Sequence, residues 1–139
     1  LERLKGLFII SPNEAETFGL TGICPDTDAN AFKAARLLYE KTAPTYVILK
    51  LGDRGILLYD GKESLRIPCF KVDAVDSTAA GDTFGAALAI SLCKGLSMMD
   101  AIRYAQAAAG ICVSRTGAQS SIPTPEEICR FLDSHPNLN

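Results

Sequence analysis

Apolar residues along this chain recur at two spacings, and the two alternate. Leu1, Leu4 and Leu7 lie three apart and predict the end of a helix; the apolar run Phe8-Ile9-Ile10 follows at once and reads as a strand. Ser11-Pro12-Asn13 breaks that strand, and Glu14 to Leu20 predicts a short helix that stops at Gly22. Asp26, Thr27 and Asp28 offer N-caps to a second helix, whose stripe Ala31, Ala34, Ala35 and Leu38 extends to about Lys41. Tyr46 to Leu49 and Gly55 to Tyr59 are solid apolar runs that read as strands, joined by the turn signal Gly52-Asp53-Arg54-Gly55. Asp60-Gly61 predicts a two-residue hairpin into a third short strand, Leu65 to Pro68. The last third is helical: Ala80 to Cys93, ending at Gly95; Met98 to about Val113, entered through Ser97-x-x-Asp100; and a final helix opened by Thr124-Pro125-Glu126-Glu127 with Ile128, Phe131 and Leu132 on its apolar face. Strands alternating with helices, then a strand meander, predict a layered α/β domain.

Composition narrows the class. The chain has 139 residues, one domain's worth, with 47% hydrophobic and 22% charged residues. Fourteen Lys and Arg against sixteen Asp and Glu give a net charge of −2 with no basic stripe, which argues against a nucleic-acid partner. No apolar run approaches the roughly 18 residues of a membrane span, and the first residues lack the pattern of a signal peptide. Cys24, Cys69, Cys93, Cys112 and Cys129 are irregularly spaced, which predicts reduced, mostly buried thiols in a cytoplasmic protein. The single histidine, His135, gives no basis for a zinc site or a histidine-based triad. A strand this close to the first residue predicts that the chain is part of a longer protein.

Candidate chemistry concentrates in Val75-Asp76-Ser77-Thr78-Ala79-Ala80-Gly81-Asp82-Thr83-Phe84-Gly85. The small residues Thr78 to Gly81 sit at the start of a helix, where main-chain N–H groups lack partners and the macrodipole is positive. Such a start can cradle a phosphate or an oxyanion. Asp82 projects from the first turn beside it and can accept a proton from an attacking hydroxyl. The plainer alternative is that Asp82 is a dipole partner worth about 0.3–1 kcal/mol. Asp76 can serve a cation or the local structure.

The string D-S-T-A-A-G-D-T-F resembles the second signature of the ribokinase-like (PfkB) carbohydrate kinases, D-[ST]-T-x-A-G-D-x-F. Asn13-Glu14-Ala15-Glu16 resembles the N-x-x-E element of that family. Leu49-Lys50-Leu51-Gly52-Asp53-Arg54-Gly55 resembles its nucleotide-binding T-L-G-x-x-G loop, and Gly117-Ala118-Gln119-Ser120-Ser121-Ile122-Pro123 resembles the G-A-Q-x-S-x-P ending of the ribokinase branch. The resemblance runs from Leu4 to Leu132. It implies a ribokinase-like α/β/α sheet over 1–139, a single partial domain lacking the N-terminal strands and the β lid. The implied activity is ATP-dependent phosphoryl transfer to a sugar, D-ribose to ribose 5-phosphate. The alternatives are a fructokinase or adenosine-kinase type of the same family, and a non-catalytic nucleotide-binding fragment.

The same resemblance implies residue roles. Asp82 would be the catalytic base, and the backbone of Ala79, Ala80 and Gly81 the anion hole. Asn13, Lys50, Gly52, Asp53, Arg54 and Gly55 would flank the ATP phosphates and ribose, and Gln106 the adenine. Glu16 would position Mg²⁺ through water. A K⁺ site would use the Asp76 carboxylate, the Ser121 hydroxyl and the carbonyls of Thr78, Cys112, Arg115 and Gly117. Lys50 stands where ribokinases often carry Thr, and Gln106 where some carry His; a solvated strand-end lysine and an exposed helix residue are the simpler readings of the two. Asp53 and Arg54 also read as plain turn residues. Without the sugar-binding half the chain is expected to have little kinase activity of its own. Its uncovered sheet edge and helix faces invite association, a homo-oligomer included.

Overall fold

The computed structural model describes residues 1–136. It comprises two compact units, Leu1–Cys69 and the residues from Phe70 on.

The first unit is a four-stranded mixed sheet in the order β1-β2-β3-β4, with two helices crossing between its first two strands. β1 (Ile9–Ile10) lies parallel to β2 (Tyr46–Lys50), and β2, β3 (Ile56–Tyr59) and β4 (Ser64–Ile67) run antiparallel in sequence. The crossover carries α1 (Glu14–Thr21) and α2 (Asp28–Thr42). Side chains alternate across a strand, so Val47 and Leu49 share a face, and the register pairs them with Tyr59 and Leu57. Ala31, Ala34, Ala35 and Leu38 of α2 pack onto that face, and all are buried. Three alanines in the stripe let the helix lie close to the strands, while Leu38 supplies bulk worth roughly 1.5–3 kcal/mol of burial. Thr27 caps α2 by accepting from the Asn30 N–H, and Gly22 ends α1 in the left-handed region at φ 73°.

Two expectations change here. The β3–β4 connection is not a two-residue turn but a four-residue loop, Asp60 to Glu63. The Asp60 carboxylate accepts from the N–H groups of Lys62 and Glu63, both at 2.8 Å, so the side chain organises a wider turn. The predicted helix end at Leu1–Leu7 is only a 3₁₀ turn over Glu2–Leu4, cut off by Gly6 at φ 75°. Leu7 and Phe8 stay exposed.

The second unit is helical: α3 (Ala80–Cys93), α4 (Met98–Val113) and α5 (Pro125–Ser134). The α3 residues Phe84, Ala87 and Leu88 and the α4 residues Ala101, Ile102, Ala105 and Ala108 are buried as the two helices pack along their lengths. Ser97 caps α4, and Thr124 and Glu127 form a full capping box on α5. Phe131 of α5 packs edge-on against Phe70 and stacks on His135. All five cysteines are free, but the expectation of mostly buried thiols is corrected: Cys24, Cys93 and Cys129 are exposed and only Cys112 is fully buried. Those three fall outside the apolar stripes, where a small thiol has nothing to pack against. Among the described residues, no helix is long and apolar enough to cross a membrane.

Gly55, between β2 and β3, has φ 81° and ψ −134°, and a Cβ there would sit 2.2 Å from the Ile67 carbonyl oxygen and 2.8 Å from the Cys69 nitrogen. Gly22 is also left-handed, but its Cβ direction is open. Gly55→Ala is therefore expected to cost about 2–4 kcal/mol and Gly22→Ala about 1 kcal/mol. Urea unfolding of the two variants checks the ordering.

Candidate active site

In the first unit, Asn13 is the N-cap of α1. Its Oδ1 accepts from the Glu16 N–H and its own N–H donates to Glu16 Oε2, both at 2.8 Å. The N-x-x-E element is thus a reciprocal capping box as well as a candidate ligand pair. One Glu16 oxygen remains outside that bond, on an exposed side chain. β2 ends beside this cap, because the Lys50 N–H donates to the Pro12 carbonyl at 2.9 Å. The Lys50 side chain is half-buried and forms no ion pair among the described residues. The following loop closes on itself through bonds from Leu51 N–H to the Gly55 carbonyl, Arg54 N–H to the Leu51 carbonyl and Gly55 N–H to the Gly52 carbonyl.

Asn13, Lys50 and Gly52 to Gly55 therefore converge on the head of α1; a Cβ on Gly52 would lie 3.7 Å from Glu14 Oε2. Arg54 does not point its charge outward. Its Nη2 donates to Glu14 Oε1 at 2.6 Å and to the Pro25 carbonyl. The guanidinium anchors the loop to α1 and to the approach of α2. Asp53 contributes its carbonyl, which accepts from the Cys69 thiol at 2.8 Å, and its side chain stays in solvent. Glu14, not singled out in the sequence, fixes Arg54 here. The signal was available, since an acidic residue in a first turn beside a basic turn residue is a natural ion pair.

In the second unit, α3 begins without a side-chain cap at Ala79. The expected anion hole of Ala79, Ala80 and Gly81 is corrected at one position: the Ala80 N–H is taken by the Ser77 carbonyl at 3.2 Å, closing the turn, and Thr83 N–H is the first to bond within the helix, to Ala79 at 2.9 Å. The N–H groups of Ala79, Gly81 and Asp82 have no acceptor among the described residues. Gly81 and Asp82 are exposed, and the Asp82 carboxylate makes no bond or ion pair there. Three unpaired donors, the positive end of a 14-residue helix and a free carboxylate thus share one turn.

Asp76 sits just before this turn. Its Oδ1 accepts from the Thr78 N–H at 2.9 Å and the Thr78 hydroxyl at 2.5 Å, and its Oδ2 accepts from the Gly117 N–H at 3.2 Å. The Thr78 hydroxyl above all, then the two N–H groups, hold its carboxyl below the usual carboxylate range. Ser121 is buried, and its Oγ lies 3.2 Å from Cys112 Sγ and donates to the Ala118 carbonyl at 2.7 Å. The Cys112 carbonyl accepts from the Arg115 N–H at 3.1 Å. Of the oxygen donors predicted for a monovalent cation, the bonds bring Asp76 to Thr78 and to Gly117, and an ionised carboxylate, a hydroxyl and carbonyls are of the type that suits such an ion. For Mg²⁺, among the described residues no three His, Cys, Asp or Glu side chains cluster as ligands. Glu16, the residue expected to reach Mg²⁺ through water, has one oxygen engaged by the Asn13 N–H. Gln106 is not the exposed helix residue of the simpler reading: it is 7% exposed within α4.

The sequence profile of the pfkB family of carbohydrate kinases matches residues 1–125. The ribokinase of Haemophilus influenzae is 42% identical over 132 residues, which is 95% of this chain and 43% of that protein. The crystal structure of ribokinase from Thermotoga maritima matches with a TM-score of 0.85 at 41% identity, covering 95% of this chain and 44% of that one. The structure of Arabidopsis thaliana ribokinase complexed with ribose and ATP matches with a TM-score of 0.86 at 34% identity, covering 94% and 42%. The chain spans less than half the length of these relatives. The likeness is to the ribokinase-like α/β fold, as expected from the sequence.

Glu127 links the loop to α5. Arg115 Nη2 donates to its Oε1 at 2.6 Å and the Thr124 N–H to its Oε2 at 2.8 Å; the Arg115 guanidinium first, then that N–H, lower its carboxyl from 4.5 to about 2. The folded value lies below the unfolded one, so the contribution is complete above about 4.5 and lost as pH falls toward about 2. The Tm difference between the wild type and Glu127→Gln is expected to be largest near neutrality and to close across that window, read by thermal melts against pH.

Proposed function

Since this chain belongs to the pfkB family of carbohydrate kinases, we propose that it carries the ATP-handling part of a sugar kinase that converts D-ribose to ribose 5-phosphate. The observation that carries this reading is the head of α3: unpaired N–H groups of Ala79, Gly81 and Asp82 around an exposed, unpaired Asp82 carboxylate. In this reading Asp82 takes the proton from the sugar hydroxyl as its oxygen attacks the γ-phosphorus. The bond to the β–γ bridging oxygen breaks, and ADP leaves. Negative charge on the transferring group falls on the cradle amides, which are already fixed and need no reorganisation. Asn13, Lys50 and the Gly52–Gly55 loop are the nucleotide-holding residues of the first unit in this reading. Arg54 and Asp53 act by shaping that loop.

When bound, Mg²⁺ would draw charge from the phosphate oxygens, with Glu16 reaching it through water. The low carboxyl of Asp76 keeps that residue ionised for K⁺, together with Ser121 and the carbonyls of Thr78, Cys112, Arg115 and Gly117. The free thiols suit a reducing, cytoplasmic setting.

The relatives' names support ribose as the acceptor, and the Arabidopsis structure holds ribose and ATP. The chain spans 43% of the Haemophilus protein, which favours a second reading for the chain alone: nucleotide binding without turnover. Sugar positioning and water exclusion, which supply much of the rate in phosphoryl transfer, belong in that reading to segments outside this chain.

Two outcomes are expected. The 139-residue chain binds ATP by calorimetry but forms ADP at background rate with ribose present. In a complete kinase carrying this sequence, Asp82→Asn lowers kcat by about 10²–10⁴-fold with ATP affinity retained, in a coupled ADP assay. Near-normal turnover of that variant would remove Asp82 as the base.

A further inference from the structure

The loop after β2 has main-chain carbonyls at every position from Leu51 to Gly55. Its own closure uses those of Leu51, Gly52 and Gly55, which accept from the N–H groups of Arg54, Gly55 and Leu51. The carbonyls of Asp53 and Arg54 are left over, and both are taken from the end of β4. Arg66 Nη2 donates to the Arg54 carbonyl at 2.5 Å, and the Cys69 thiol donates to the Asp53 carbonyl at 2.8 Å. Gly55 lies so close to the Ile67 carbonyl and the Cys69 nitrogen that no Cβ fits. Residues 66 to 69 therefore form a seat for the loop, although they belong to none of the motifs read in the sequence.

Arg66 also breaks the pattern of its strand. It stands opposite Leu57, and cross-strand partners share a face. Leu57 is buried in the cluster that packs against α2, so position 66 calls for an apolar side chain; the apolar neighbour, Leu65, is instead the one left 47% exposed. The arginine's Nη1 is buried with no partner among the described residues. Its ion pair, Nε to Asp28 Oδ1 at 3.4 Å, involves a carboxylate that is 74% exposed. An unmet guanidinium nitrogen costs stability, and an exposed ion pair offsets little of it. What the placement achieves is the bond to the loop, and a local rule broken in this way marks a functional position.

We propose that Arg66 and Cys69 are positioning residues for the nucleotide, acting through the Gly52–Gly55 loop. This rests on the nucleotide reading given above. A main-chain carbonyl turned toward a phosphate repels it. The two donors hold the Asp53 and Arg54 oxygens on the seat, so the loop meets an anionic ligand with those carbonyls already engaged and little left to reorganise. Arg54 is thus held twice: its side chain ties the loop to Glu14 and Pro25, and its carbonyl ties the loop to β4 through Arg66.

The test is ATP titration of the 139-residue chain by calorimetry, at a temperature where every variant is folded, with amide exchange at Arg54 and Gly55 followed by NMR. Arg66→Met keeps the length of the side chain and removes its donors. It is expected to weaken ATP binding by about five- to twentyfold, a fraction of what one charge-assisted hydrogen bond contributes, and Cys69→Ala by about two- to fivefold. Both should speed exchange at the two amides. Arg66→Lys and Cys69→Ser, which keep a donor, should recover most of the affinity. Asp28→Asn, which removes only the ion pair, and Gly22→Ala, which lowers stability at the far end of α1, should leave ATP affinity unchanged. A stability role alone would lower Tm in the seat variants, as in Gly22→Ala, without weakening ATP binding. If the wild type binds ATP and Arg66→Met and Cys69→Ala bind it equally well, the positioning role is overturned while the nucleotide reading stands. If the wild type binds no ATP, the nucleotide reading falls and the positioning role falls with it, whatever the exchange rates show.

Discussion

Everything in the second unit that bears on chemistry depends on one carboxylate. Asp76 accepts three hydrogens, two from Thr78 and one from Gly117, 41 positions along the chain. By taking the Thr78 N–H it helps close the turn before α3, after which the exposed Gly81 and Asp82 keep their N–H groups open. By taking the Gly117 N–H it pins the segment between α4 and α5 to that same turn. Val75 and Asp76 also donate their own N–H groups to the Val113 carbonyl, so backbone and side chain hold the junction from both sides. An uncapped helix start would otherwise fray or find a stray acceptor; here its approach is fixed while its donors stay open.

The first unit solves a related problem by other means. Its nucleotide-facing candidates stand where a parallel strand, a helix start and a tight loop meet. The Asn13–Glu16 box stiffens the helix start, and Arg54 bonds across to Glu14 and Pro25. Surface ion pairs of this kind contribute little to stability on average, but a charged donor shared between a carboxylate and a carbonyl fixes loop position. The charge of Arg54 is then already engaged, whereas Lys50 has no ion pair among the described residues.

The helices were legible because each carries several agreeing signals. α5 has Thr at its N-cap, Pro at its first position and Glu at its third; α2 has a four-residue apolar stripe. β2 and β3 were legible as solid apolar runs, since β2 is buried at three consecutive positions, whereas β4 was legible only from the turn signal before it. The misreadings share a cause: a side chain or backbone conformation overrode a short local pattern. Asp60 widened the hairpin, Gly6 cut off the leucine triplet, and cysteines outside the apolar stripes stayed in solvent. At the site, contiguous residues such as Ala79 to Asp82 could be read directly. The Asn13–Glu16 pair was read as ligands alone, although its spacing also fits a cap. The buried contacts of Cys112 Sγ with the Thr83 and Ser121 hydroxyls join positions 29 and 9 residues apart, and no local pattern encodes them.

Gly55 faces main-chain atoms of residues 67 to 69 and not the tips of movable side chains. A neighbouring side chain could be trimmed by a second change elsewhere; a carbonyl oxygen cannot. The position is therefore closed to compensatory substitution. Suppressor searches starting from a Gly55 variant should return only reversion, and divergent descendants of this sequence should drift around this residue without crossing it.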